Sequence, residues 1–105
     1  MRVKTEELTG TALDWAVSYC VEWSNKFPIM PFKVLPYSSH WAQGGPIIER
    51  EGISVYFDDR DGDWYAKAPA TPVTYYAYNP LVAAMRCYVA SKLGDEVEMP
   101  IEEIN

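Results

Sequence analysis

The segment Pro80–Leu93 limits the fold more than any other stretch of the chain. Asn79 suits an N-cap, Pro80 the first helical position, and Gly94 the position just past the end, so both ends of a helix are marked. Between them Val82, Met85, Val89 and Leu93 form one apolar stripe, bordered by Leu81 and Tyr88. A second face carries small residues, Ala83, Cys87, Ala90 and Ser91, which let another backbone approach closely. Both faces require cover. The cover must come from a chain of 105 residues, which suffices for one domain and is too short for a second core. A neighbouring helix of the same fold or a second subunit would suit the small face, which makes Ala83, Cys87 and Ala90 candidate interface residues.

Residues 11–23 read as a second helix. Leu13, Ala16, Val17, Cys20 and Val21 form its apolar stripe, and Trp15, Tyr19 and Trp23 an aromatic one, while Asp14, Ser18 and Glu22 share a narrow polar strip. A helix with so little polar surface is covered on more than one side, so Trp15, Tyr19 and Trp23 are either core or interface. Ile53, Val55 and Phe57 alternate with Ser54 and Tyr56, and Trp64, Ala66 and Ala68 answer them across the turn residues Asp61-Gly62, which predicts a hairpin. Ile47 and Ile48 are expected to open that extended region. Residues 69–79 read as an irregular connection or a short edge strand that exposes Tyr75, Tyr76 and Tyr78. In residues 24–45, Pro28, Pro31 and Pro36 interrupt a run holding Phe27, Phe32, Tyr37 and Trp41, which reads as a long aromatic loop with room for a short strand at 32–35. The acidic tail 95–105 is expected to be loose, apart from Val97, Met99 and Ile101 packing back. The expected class is α+β, a single domain over 1–105 with two helices on a small antiparallel sheet and a long aromatic, proline-rich loop.

Composition removes several function classes. With 49% hydrophobic and 23% charged residues the chain should fold rather than stay disordered. Fifteen acidic against nine basic residues, a net charge of -6, argue against a grip on duplex nucleic acid through its phosphates. No window approaches the ~20 apolar residues of a membrane helix, and Arg2 and Lys4 do not lead into an apolar signal stretch, so a cytoplasmic protein is expected. Cys20 and Cys87 fall inside helical patterns and read as buried thiols; with one His, neither a metal site nor a cofactor is expected. Asp59, Asp61 and Asp63 lack the spacing of a calcium loop, because Trp64 stands where glycine is needed. Ser38, Ser39 and His40 sit together without a nucleophile elbow, so no catalytic constellation is found and no enzyme is expected.

What remains is binding. Trp41 offers a stacking surface, Gly44 and Gly45 let a backbone approach a ligand and expose amides, and Gln43, Glu49 and Arg50 supply polar contacts, with His40 beside them. The same glycines also fit a tight turn entering the sheet. Arg86 reads as a surface cation, as a partner of Asp14 or Glu49, or as a fork for an anionic ligand group. Aromatic residues are 14% of the chain, an excess that predicts a ligand pocket or a subunit contact in at least one cluster, chiefly around Trp41.

Three blocks of sequence carry a resemblance. They are Val3-Lys4-Thr5 with Leu8-Thr9-Gly10 and Ala12-Leu13-Asp14-Trp15-Ala16-Val17, then Trp41-Ala42-Gln43-Gly44-Gly45-Pro46-Ile47-Ile48-Glu49, then Pro80 through Val97. In these the chain resembles the NinX family of small phage and prophage proteins. The resemblance implies phage origin and work in the cytoplasm of an infected bacterium, and it carries over no catalytic residue. The expected function is therefore non-enzymatic binding by a phage accessory protein, as a homo-oligomer. One version sequesters a nucleotide-derived host immune signal, with Trp41 on the base and Gly44, Gly45 and Arg86 on phosphate; the alternative is an inhibitor or adaptor that docks on a host protein.

Overall fold

The computed structural model describes residues 1–23 and 33–100. Expectations placed on residues 24–32 and 101–105, Phe27, Phe32 and Ile101 among them, and on the side chain of Trp23 lie outside the described residues. In chain order the elements are strand β1 (Arg2–Lys4), a 3-10 turn (Thr5–Glu7), helices α1 (Gly10–Trp23) and α2 (Trp41–Glu51), strands β2 (Ser54–Asp58), β3 (Asp63–Ala68) and β4 (Thr71–Ala77), helix α3 (Pro80–Leu93) and strand β5 (Glu96–Glu98). Strands β2, β3 and β4 form one antiparallel sheet in that order, and β1 pairs with β5 in a second. The class is α+β as expected, with three helices rather than two.

Helix α3 is the centre of the molecule. Asn79 Oδ1 accepts a hydrogen bond from the Val82 N–H at 2.9 Å, Pro80 occupies the first turn, and Gly94 leaves the helix with φ +87 while its N–H donates to the Ala90 carbonyl. Every residue from Leu81 to Ala90 except Arg86 is buried. The three-stranded sheet packs on α3, and α1 and α2 take up the rest of its circumference. Ala83 and Cys87 have no exposed surface and Ala90 is 8% exposed, so the small-residue face serves packing inside the fold. That corrects their assignment to a subunit interface, because a second chain cannot reach them.

Helix α2 is the main departure from the sequence reading. Residues 41–51 are helical, whereas the sequence placed a loop through residue 45 and an extended start at Ile47. Gly44, Gly45 and Pro46 are the poorest helix formers in succession, and packing overrides them. Gly44 is buried so tightly that a Cβ there would lie 2.6 Å from Leu81 Cδ1 and 2.7 Å from the Tyr37 carbonyl oxygen. Ile47 is buried beside it, while Pro46, which has no N–H to give the helix ladder, is exposed. The chain leading into α2 is tied to α1: the Ser38 N–H donates to Asp14 Oδ1 at 2.8 Å, and the Leu35 N–H donates to Ser18 Oγ at 3.2 Å. Two residues of the polar strip on α1 are thus anchors for residues 33–40 and not a solvated edge.

Residues 71–77 form an edge strand, which settles the choice left open for 69–79. Tyr75 is buried against α3, correcting its expected exposure, while Tyr76 and Tyr78 are exposed. Residues 32–35 carry no strand in their described part, 33–35. The tail is less loose than expected, since β5 places Val97 opposite Val3 and buries Val97 and Met99.

Candidate functional site

The register of the three-stranded sheet decides which side chains meet. Tyr56 lies opposite Tyr65, and Tyr65 opposite Tyr76, across all three strands. Val55, Ala66 and Tyr75 form the neighbouring rung, and because successive residues of a strand point to opposite faces, they face α3 while the three tyrosines face away. The rings form a ladder: centroids are 5.0 Å apart and nearly parallel between Tyr56 and Tyr65, and 5.5 Å apart and tilted between Tyr65 and Tyr76. Cross-strand aromatic pairs stabilise a sheet, but Tyr56 and Tyr76 still leave 44% and 54% of their surface to solvent. Lys67 lies on the same face, its Nζ 6.0 Å from the Tyr65 ring centroid. Tyr65, Tyr76, Lys67, Thr74, Arg60, Asp58 and Asp59 line an open depression of about 370 Å³ here.

The turn that closes β2 and β3 borders this face. The Gly62 N–H donates to the Asp58 carbonyl at 2.8 Å with φ +73 at Gly62, and Asp58 Oδ1 accepts from the Arg60 N–H at 3.1 Å. Asp59, Asp61 and Asp63 complete a strongly acidic rim. On the opposite face Phe57 packs obliquely on Trp64 at 5.0 Å and stays 52% exposed, although the strand alternation places it with Ile53 and Val55 on the buried side.

Of the residues expected to bind around Trp41, Gly44 and Arg86 are engaged within the fold. Trp41 is exposed at the start of α2, and His40 precedes it, its Nδ1 3.0 Å from Ser39 Oγ. The amides of Gln43 and Gly44 both donate to the His40 carbonyl in the first turn of the helix. Gly44 makes a helix contact, Gly45 has open space around its Cα, and Glu49 is exposed. Arg86 neither pairs with Asp14 or Glu49 nor offers a free fork: its Nε donates to the Leu8 carbonyl and its Nη1 to the Tyr76 carbonyl, both at 2.7 Å. Burial pulls its pKa down, while Tyr78 and Glu6 support its charge. It is a cross-brace between the entry to α1 and the end of β4.

Arg50 also has a structural task. Its Nε meets Glu51 Oε2 at 3.0 Å, and Lys92 of α3 meets Glu51 Oε1 at 3.2 Å, so Glu51 ties α2 to α3. Burial pushes the Glu51 carboxyl up, but hydrogen bonds from Arg50 and Lys92 outweigh it and hold the group below the usual range. Because the folded value is the lower one, this stabilisation is complete above the unfolded pKa of about 4.3 and is lost as pH falls through the folded value. Glu51→Gln is expected to lower stability near neutral pH by about 1 kcal/mol and to flatten the acid limb of stability against pH, read from urea titrations across that range.

Trp15 and Tyr19 stack at 5.3 Å and line a shallow depression with Leu93 and β5, so the aromatic stripe of α1 rests partly on its own fold. Burial pushes the Cys20 thiol up to about 12 and Cys87 to about 11, which keeps both protonated at neutral pH. Among the described residues no helix is long and apolar enough to cross a membrane.

These features define a class: a small α+β domain wrapped round one buried helix, with an aromatic sheet face left open. The family model described as Bacteriophage P22, NinX matches residues 4–92, and the chain belongs to the NinX family of phage proteins. None of the curated proteins compared with the chain matches it. The tyrosine ladder is the feature sequence reasoning missed. In the sequence Tyr56 is marked only as an outward residue of an alternating strand, and no local signal singles out Tyr65.

Proposed function

We propose that this phage protein acts by binding and not by catalysis, docking on a protein of the infected host through the outer face of its three-stranded sheet, as an inhibitor or adaptor. The observation that carries this reading is the ladder Tyr56–Tyr65–Tyr76, an exposed aromatic row on a rigid sheet. Tyrosine gives large contact area at low entropic cost and a hydroxyl for polar contacts, which is why it is enriched where proteins meet. The depression on this face is open to solvent, which suits a protein surface better than a small molecule, since a small molecule needs a site that encloses most of it.

The test is affinity capture from a bacterial host with the tagged chain. A specific host protein should be retained by the parent chain and by Trp41→Ser, and fall about tenfold or more in the double variant Tyr56→Ser/Tyr76→Ser, a loss typical of interface aromatics. Thermal melts confirm that the double variant remains folded. Retention of the partner by the tyrosine variant, or recovery of a heat-released nucleotide that depends on Trp41, would overturn the docking reading in favour of a sequestered small molecule.

A further inference from the structure

The two edges of the three-stranded sheet are built differently. Strand β4 carries Pro72, which cannot donate to another strand, and its pairing with β3 is interrupted by an irregularity between Ala66 and Ala68. Such devices discourage the addition of a further strand. Strand β2 has none of them: Ser-Val-Tyr-Phe-Asp contains neither proline nor lysine, its register with β3 is unbroken, and among the described residues it pairs on one side only. Ser54, Tyr56 and Phe57 are exposed along it, Tyr56 on the outer face and Phe57 on the inner. An open edge with apolar side chains above and below is a template for an incoming strand.

The charge around that edge selects the occupant. The turn at the end of β2 holds Asp58, Asp59, Asp61 and Asp63, with Arg60 engaged on Asp58 at 3.6 Å. Lys67 beside the Tyr65 ring shows within this chain that the ladder accepts an ammonium group. A second copy would bring a further net charge of -6 to an already acidic rim, and a single-stranded nucleic acid would set its phosphates against the same carboxylates. We infer that the open edge of β2 takes an extended, arginine- or lysine-bearing segment of the partner protein as an added strand, with its apolar side chains on Tyr56 and Phe57 and its cations at Asp59 and Asp61. This inference rests on the docking reading above and adds to it the chemistry and geometry of what is bound.

The experiment uses four probes in fluorescence anisotropy with the full chain: a short peptide alternating arginine and valine, the same peptide with alternate amides N-methylated, its glutamate counterpart, and an oligothymidylate of similar length. The arginine peptide should bind about tenfold or more tightly than the glutamate peptide, and N-methylation, which removes ladder donors without touching the protein, should cost a similar factor. Asp59→Asn/Asp61→Asn should weaken the arginine peptide severalfold with an unchanged melting temperature, and backbone amide resonances of Ser54–Asp58 should shift on binding. Equal affinity for the N-methylated peptide, indifference to the aspartate substitutions, preference for the oligothymidylate, or no peptide binding by a chain found to dimerise through β2 would each overturn the inference. If the peptides fail while Tyr56→Ser/Tyr76→Ser still loses the captured host protein, this inference falls and the docking reading stands. If that variant keeps the host protein, the docking reading itself falls.

Discussion

Arg86→Met is expected to destabilise the protein by about 2–4 kcal/mol, the scale of two lost hydrogen bonds from a charged donor. The guanidinium donates to the carbonyls of Leu8 and Tyr76, each at 2.7 Å, joining two segments that no strand pairing connects. Methionine fills a similar volume but leaves both carbonyls without their charged donor, and hydrogen bonds from charged groups are worth roughly twice neutral ones. Arg86→Lys should recover only part of the loss, because one ammonium on a flexible stem does not reproduce a planar fork that reaches two acceptors. Urea denaturation gives the free energies, and amide exchange should show Leu8 and the end of β4 loosening together. A variant within about 0.5 kcal/mol of the parent, the range of ordinary surface changes, would show that the brace is dispensable.

The adjacent glycines of α2 should respond in opposite directions. Glycine to alanine inside a helix ordinarily stabilises by about 1 kcal/mol. At Gly44 the new Cβ would meet Leu81 Cδ1 at 2.6 Å and the Tyr37 carbonyl oxygen at 2.7 Å, and the backbone oxygen cannot move aside as a flexible side chain would. Gly44→Ala is therefore expected to cost about 2–3 kcal/mol net, the scale of overpacking in a tight core. A Cβ at Gly45 would meet nothing within 4 Å beyond its chain neighbours and the helix's own backbone, so the helix gain survives, reduced by the clash between an alanine Cβ and the ring of Pro46. The expected result for Gly45→Ala is between no change and a gain of about 0.5 kcal/mol, within the range for compatible glycine replacements. Equal effects at the two positions in thermal or urea melts would mean that α2 does not rest on α3 as described.

Local signals made some elements readable and left others silent. Helix α3 was legible to the residue because its ends carry a cap, a proline and a glycine whose roles are set by backbone chemistry alone. The β2–β3 hairpin was legible because alternation and a turn sequence reinforce each other. Helix α2 was not, since Gly44-Gly45-Pro46 argues locally against a helix and the argument for one lies in Leu81 and Tyr37, far along the chain. Long-range packing also decides what approaches Gly44: a glycine there permits close approach, and what approaches is Leu81 of α3 and the Tyr37 carbonyl. The partners of Arg86 are backbone carbonyls, which no pattern of side chains announces.

The aromatic excess divides along the same line. Capping, turn chemistry and periodicity act over a few neighbouring residues, and they suffice for an α+β domain with a helix at residues 80–93 covered on two faces, a hairpin about residues 58–63, and more tyrosine than a small core needs. Which aromatics are used up in packing and which stand open depends on contacts between distant segments. Tyr75 and Tyr76 are neighbours in sequence, yet one is buried on α3 and the other faces solvent in line with Tyr65 and Tyr56. The strand's period of two separates them, but which side meets the helix depends on where the rest of the chain packs.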